Sequence, residues 1–437
     1  MTKIATIEYV QRRAALLQQL PVGAVVVIHC AAAQIRNGDV EQDYRQNSSF
    51  YYLSGMVEPH TTLVLVNSVD GPRSIIFCRS KDKLQEIWHG RRLGVDAAPE
   101  ALMVDEAYVS ETLPQQLVEL LDGATQVVYR FSQDESIELV QQSLVKLRRL
   151  SRQGKVCPTQ LVDLDPVLDA MRLIKSVAEI EQMTQACNIS VAAHKRAMRQ
   201  CKVGMYEYQL AAELHHQFSV QGSQRVAYGS IVAGGDNACI LHYTNNDQRL
   251  QDGDLVLIDA GCELDHYASD ITRTFPVNGH FSEPQKIIYQ IVLAAHEAAL
   301  ACIKPGAVYT DMQDAAVTVM VQGLINIGLL SGTLEANIED QSYRQFYMHN
   351  IGHWLGMDVH DVGAYKAGGE SRPLLPGMIT TVEPGIYIDP EDMTIASQWR
   401  GIGVRIEDNI LVTEAGYRNL TGDLPVSVAD IERLMAS

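Results

Sequence analysis

The sequence predicts two domains, an α/β domain over 1–173 and an α+β domain over 174–437, the second carrying an internal duplication. In the first part, short apolar runs alternate with helical stretches, the texture of a covered sheet. In the second part, long helices frame pairs of strands instead. That unit of two helices and then strands occurs twice, without visible sequence identity between the copies, so the duplication rests on pattern alone. A chain of 437 residues has room for one small and one large domain.

The opening MTKIATIEYVQRRAALLQQL reads as a polar-flanked amphipathic helix. It has neither the long apolar core nor the small-residue cleavage site of a secretory signal. GAVVVIHCAAA (23–33), TTLVLVNS (61–68), RSIIFCR (73–79) and TQVVYRF (125–131) read as strands, with LPQQLVELLDG and ESIELVQQSLVKLRRLSRQG as helices. Ser176 followed by Glu179 fits a capping box that opens a helix to about residue 200 and places the domain boundary near 172–176. Helices are expected over 177–200, 206–221, 283–303 and 309–328. VLIDAGCELDHYASDITRTFPV (256–277) reads as a hairpin turning at Leu264–Asp265, and TTVEPGIYI (380–388) and GVRIEDNILVT (403–413) as two further strands.

Hydrophobic content of 46% and charged content of 20% are those of a soluble globular protein. A formal charge of −18 argues against nucleic acid or an anionic membrane as partner. No run of about 18 apolar residues exists to span a bilayer. The eight cysteines stand singly, with no CxxC pair to suggest a zinc knuckle, and are expected to be reduced and buried in a cytoplasmic protein.

The chemistry lies in the second domain. With a turn at Leu264–Asp265, Asp259 and Asp270 would stand directly opposite, their Cβ atoms about 4.5–5.5 Å apart. Two carboxylates there repel unless a cation lies between them, and Asp is a poor strand former. Taken alone, the pair fits equally a turn-opening Asp beside Gly261 and a solvated strand residue. YMHNIGHWLGMDVHDVG (347–363) adds His349, His353 and His360, and imidazole both binds Mn, Co, Zn or Fe and shuttles protons. Glu383 ends a strand at Pro384–Gly385, and Glu407 interrupts a strand that reads as buried, where a lone carboxylate is costly. Together Asp259, Asp270, His353, Glu383 and Glu407 offer four carboxylates and one imidazole, enough to neutralise two divalent cations. A water between two such cations can lose a proton near neutral pH and attack a carbonyl. If the five converge, the protein is a two-metal hydrolase. Oxygen-rich ligation with a single histidine favours two Mn²⁺ per subunit, with Co²⁺ or Zn²⁺ as substitutes.

At these motifs the chain resembles the metallopeptidases of the pita-bread fold, a family that includes methionine aminopeptidase, prolidase, aminopeptidase P and the non-metal creatinase. RNGDVEQDYRQNSSFYYLSGMVEPH (36–60) and IWHGRRLGVDAA (87–98) resemble the N-terminal domain of the bacterial aminopeptidase P branch. The likeness runs essentially the whole length and implies a pita-bread catalytic domain with a pseudo-twofold duplication. It implies hydrolysis of the N-terminal Xaa-Pro bond of peptides by a hydroxide bridging two manganese ions. By motif, Asp270 and Glu407 would bridge both metals, Asp259 would hold one, and His353 and Glu383 the other. Glu383 would pass a proton to the leaving proline nitrogen. His360 and His242 match histidines that contact substrate, and His349 a further pocket histidine. Arg405 and Tyr228 match residues near the metals and substrate pocket. Trp88 would reach a neighbouring subunit's site in a homo-oligomer, a dimer or tetramer. Asn350 stands where the family usually has Gly, and Asn tolerates left-handed backbone better than other non-glycine residues. Prolidase, which takes only dipeptides, shares these ligands. A metal-free pita-bread binding protein or a creatinase-like enzyme should lack one or more of them, and all five are present.

Overall fold

The computed structural model describes residues 3–437, in two compact units, Lys3–Met171 and Arg172–Ser437. The first unit is a six-stranded mixed sheet in the order Glu106–Val109, Gly71–Cys78, Thr62–Ser68, Ala24–His29, Gln126–Tyr129, Gln160–Asp163. Ala24–His29 runs antiparallel to Thr62–Ser68 and parallel to Gln126–Tyr129. Val25, Val27, Val64, Val66, Phe77 and Val127 pack on one face against the helices Leu113–Leu121 and Asp134–Arg149. Val26, Ile28, Leu63 and Leu65 are buried on the other face. Burial on both faces is why these strands read as unbroken apolar runs. The outer strands EAYV and QLVD carry no such run, being half-buried or exposed throughout. The IWHG segment lies at the end of the helix Lys83–His89. Asp82 caps that helix and none of its residues is buried.

In the second unit, Val177–Gln200 packs on Glu207–Val220, and Glu283–Ala301 on Tyr309–Asn326. Ser176 opens the first of these helices. Its hydroxyl accepts from Glu179 N–H at 3.3 Å, and the Glu179 carboxylate accepts from Ser176 N–H at 3.0 Å, closing the expected capping box.

Each helix pair precedes an interrupted antiparallel ladder. In the first, Leu255–Asp259 pairs with Thr272–Pro276, and Cys262–Leu264 with Tyr267–Ala268, in one continuous register. The turn residues are Asp265 and His266, with φ of 46° and 70°. Positive φ at both central positions marks a type I′ turn, whose twist matches the strands, and Asp and His tolerate it better than most residues. The expected turn at Leu264–Asp265 is therefore displaced by one residue. Asp259 faces Thr272 rather than Asp270. The two acids become diagonal neighbours on one face, and Gly261 takes the position opposite Asp270.

In the second ladder, Ile379–Val382 pairs with Asp408–Thr413 and Gly385–Tyr387 with Gly403–Arg405, again in one register. The strands expected over 380–388 and 403–413 thus each break in two. The break falls where Glu383 and Glu407 face each other, beside Pro384, which has no N–H to give a ladder. The segment carrying His353 lies alongside: Thr381 N–H donates to His353 O at 2.9 Å and Glu383 N–H to Ile351 O at 2.8 Å. Gly352 permits this approach, since a Cβ there would lie 2.2 Å from Thr381 O. Asn350 is not left-handed, so the usual glycine is not required at that position by backbone conformation.

Gly261 sits at the tightest crossing, where a Cβ would lie 1.7 Å from Ser269 O. Gly261→Ala should destabilise the metal-free protein by about 3 kcal/mol through forced backbone movement. Urea unfolding measures this, and a loss below about 1 kcal/mol would contradict so close an approach.

Candidate active site and metal centre

The two ladder breaks and the His353 segment open onto one cavity of about 700 Å³. Asp259, Asp270, His353, Glu383 and Glu407 all line it, as do Tyr228, His242, His349, His360 and Arg405. Trp88 does not, and lies 80% exposed on its helix in the first unit.

The carboxylates are held mainly by neighbours from other strands. Asp259 accepts from Arg405 Nη2 at 2.6 Å and from the Tyr228 hydroxyl at 2.5 Å. Tyr228 also contacts Asp270, whose other oxygen lies 3.4 Å from His353 Nε2. Glu383 Oε1 lies 3.5 Å from the same His353 nitrogen and accepts from Thr381 Oγ1 at 3.2 Å. Glu407 Oε2 accepts from Thr272 Oγ1 at 2.7 Å. Asp270, His353 and Glu407 offer ligand atoms within 4.8 Å of one another, close enough to share an ion. Asp259 and Glu383 flank this triad.

The electrostatics call for cations. Three buried carboxylates and the half-buried Glu383 face the Arg405 guanidinium and the His353 imidazole. Burial, reinforced by Asp270, Glu383 and Asp259, pushes Glu407 well above the usual carboxylate range. Burial raises Asp259 too, against the opposing charge of Arg405. Glu383 is pushed up to about 7 by burial, although His353 and Arg405 pull it down. Burial works against Asp270 as well, but the hydrogen bond and charge of His353 hold it below its ordinary value. Burial lowers His353, and Asp270 and Glu383 outweigh that, raising it to about 9. The single Tyr228 proton cannot serve both of the acids that its hydroxyl touches. Oxygen donors in excess of positive charge, converging on one cavity, fit divalent cations.

The other histidines are arranged differently. Burial and then Arg405 hold His349 down at about 4, and its Nε2 lies 2.8 Å from the Tyr387 hydroxyl. His360 is lowered by burial and then by His353, with the two ring centres 4.3 Å apart. Both are neutral near pH 7 and able to give or take a hydrogen bond. Tyr387, which sequence reasoning passed over, joins His349 to Arg405 Nη1 at 3.0 Å. Thr272 and Asn409 were passed over too, and neither has a local signal in the sequence.

Residues 181–414 match metallopeptidase family M24, and residues 9–129 match the N-terminal domain of aminopeptidase P. The chain belongs to metallopeptidase family M24. It is 46% identical to the Xaa-Pro aminopeptidase of Escherichia coli, over 100% of this chain and 99% of that protein. The aminopeptidase PepP of Pseudomonas aeruginosa superposes with a TM-score of 0.98 at 46% identity, covering 100% of this chain and 99% of that one. Aminopeptidase P from E. coli with the inhibitor Pro-Leu gives 0.97 at 45% identity, with the same coverage. The protein is thus a metallopeptidase with an aminopeptidase P-type N-terminal domain and a pita-bread catalytic domain.

The raised acids set a pH dependence for the metal-free protein. Between about 4.5 and 7 the folded chain holds the Glu383 proton that the unfolded chain releases, so the contribution of Glu383 to stability falls as pH rises. His353 stabilises fully below its ordinary 6.5, and that contribution is lost as pH rises through about 9. The depressed Asp270 contributes fully above the ordinary carboxylate range and leaves this window unchanged. With EDTA, unfolding free energy should drop between pH 7 and pH 9 by on the order of 2 kcal/mol, above the range in which His194, His296 and His349, each depressed to about 4, act with the opposite sign. Added divalent cation should flatten or reverse the slope, because binding requires deprotonated ligands. A stability that rises over this range in EDTA would contradict the charge assignment.

Proposed function

We propose that this protein is an Xaa-Pro aminopeptidase, removing the N-terminal residue from peptides with proline second. The observation that carries the reading is the convergence of four carboxylates and His353 on one cavity, in a chain 46% identical end to end to an enzyme of that name. Domain 1–173 is assigned as the aminopeptidase P/creatinase-like unit and 174–437 as the catalytic one. Asp270 and Glu407 would be shared by two cations, with Asp259 holding one and His353 and Glu383 the other. Manganese is assigned as the native metal, with Co²⁺ or Zn²⁺ able to replace it. When bound, the ions supply Lewis acidity toward the scissile carbonyl and an activated water at neutral pH.

The protein's own groups do the rest. The leaving proline nitrogen is a secondary amine that must gain a proton as the bond breaks, and Glu383 delivers it. His360 and His242 line the cavity and hold the peptide by hydrogen bonds, with His349 and Tyr228 completing the pocket. Arg405 fixes Asp259 and Tyr387. Trp88 is assigned to the neighbouring subunit's site in a homo-oligomer, supported by its exposure. Eight free cysteines, most of them buried, support a cytoplasmic setting. Among the described residues no helix is long and apolar enough to cross a membrane.

The reading is tested with an Xaa-Pro-Xaa tripeptide, the matching Xaa-Pro dipeptide and a tripeptide with alanine second, each with EDTA and with Mn²⁺ restored. Metal-dependent turnover of the proline tripeptide should exceed both others. Strict preference for the dipeptide would make the enzyme a prolidase instead.

Two variants separate the roles. His360→Ala should retain metal and lose on the order of 10²-fold or more in rate, the scale of one lost transition-state hydrogen bond. Metal loss in that variant would move His360 among the ligands. Trp88→Ala should weaken turnover of longer peptides more than of short ones, and a fully active monomer at micromolar concentration would refute its assignment.

A further inference from the structure

The two carboxylates assigned to both ions are fastened in a reciprocal way across the two ladders. The backbone of Asp270 is not paired to a strand at its own position. Its N–H donates to Asn409 Oδ1 at 3.0 Å, and its carbonyl accepts from Asn409 Nδ2, from 139 residues away. A side-chain carboxamide here does the work of a neighbouring peptide group. In the other direction, Glu407 N–H donates to Thr272 O at 3.0 Å, and Glu407 Oε2 accepts from Thr272 Oγ1 at 2.7 Å. Asn409 lies two residues after Glu407, and Thr272 two residues after Asp270. Each ladder thus carries one shared carboxylate and, two positions on, the group that holds the other ladder's carboxylate.

The fastening is directional and dry. Thr272 Oγ1 also receives Arg405 Nε at 3.1 Å, so its single proton is committed to Glu407. Thr272, Asn409 and Arg273 are fully buried. Arg273 adds a bond from Nη1 to Glu407 O at 2.6 Å. Two ions that share carboxylates must lie roughly 3.5–4 Å apart, and carboxylates can hold that spacing only if their own positions are fixed to about half an ångström.

We propose that Thr272 and Asn409 are positioning residues that fix Asp270 and Glu407 relative to each other, and so set how tightly the second of two divalent cations is held. The inference rests on the two-ion reading of the site. A merely structural fastener would lower the stability of the metal-free fold and leave ion binding as it was.

The test uses the full chain, stripped of metal and titrated with Mn²⁺ by calorimetry. Electron paramagnetic resonance reads the exchange-coupled pair, and urea unfolding the metal-free stability. Thr272→Val keeps the shape and removes the hydroxyl, Thr272→Ser restores it, and Asn409→Ser cannot span both peptide groups of Asp270. Thr272→Val and Asn409→Ser should weaken the second Mn²⁺ by about 10–100-fold, the usual effect of removing a partner of a metal ligand, and diminish the coupled signal. Thr272→Ser should bind as wild type does. Wild-type affinities and coupling in Thr272→Val would overturn the inference, whatever its unfolding midpoint. If Asn409→Ser does not fold, the Thr272 pair still decides. A wild-type chain binding fewer than two Mn²⁺ ions would overturn the two-ion reading itself, and this inference with it.

Discussion

Asp259, Asp270 and Glu407 are buried and Glu383 half-buried around one cavity, where Arg405 and His353 oppose their charge. Like charges held in a medium poorer than water repel strongly, and each carboxylate pushes its neighbours toward protonation. The consequences run through the unit. Arg405 is buried and committed to Asp259, Tyr387 and Thr272 at once, so it cannot swing out to solvent. Tyr228 lies between Asp259 and Asp270, and His353 between Asp270 and Glu383. A core that tolerates this arrangement without metal carries a penalty that ion binding removes, which couples loading to stability.

The ladders solve the problem of aiming these groups. In an uninterrupted strand, every backbone group is engaged and side chains alternate strictly between faces. Each ladder here keeps its register across a gap, and the carboxylates stand at the gap or beside it. Breaking pairing without losing register frees backbone groups for the opposite ladder while the flanking strands keep the site rigid. Gly261 and Gly352 allow chain segments to approach closer than any Cβ would permit. Pro384 enforces the second break. The site is therefore a property of two sheets meeting, and neither ladder alone forms it.

Much of this was legible in the sequence. The helices Val177–Gln200, Glu207–Val220, Glu283–Ala301 and Tyr309–Asn326 follow their apolar periodicity within a residue or two, and the central strands of the first unit follow their apolar runs. The five acidic and imidazole side chains drew attention because charge inside apolar strands has no cheap explanation. What stayed hidden is non-local or conformational. The turn at Asp265–His266 lacks the Gly that normally advertises a type I′ turn, so the hairpin was set one residue early. The break at Glu383 is announced by Pro384–Gly385, whereas the one at Glu407 looks like an acidic interruption within a single strand, because the residues flanking it are buried. Thr272 and Asn409 are ordinary residues in ordinary strands, and their significance arises only when chain 135 or 139 residues distant arrives beside them.

The pocket histidines are held by a different principle from the carboxylates. His242 and His360 lie outside the regular strands, each immediately before a buried anchor. Tyr243 donates to Glu207 at 2.8 Å. The same carboxylate takes N–H groups from Gly234 at 2.8 Å and Gln248 at 2.9 Å, pinning both ends of that loop. Asp361 accepts from Arg172 at 2.6 Å and Lys175 at 3.0 Å, and all three are buried. Breaking such a pair by removing one partner leaves an uncompensated buried charge and costs about 3–5 kcal/mol, so these loops are not free to drift. Because the anchor is the next residue along the chain, the imidazole itself is spared from structural work. The groups assigned to the ions are immobilised through their own atoms, and the histidines assigned to substrate through their neighbours. That division leaves His242 and His360 with donor and acceptor capacity to spend on a peptide.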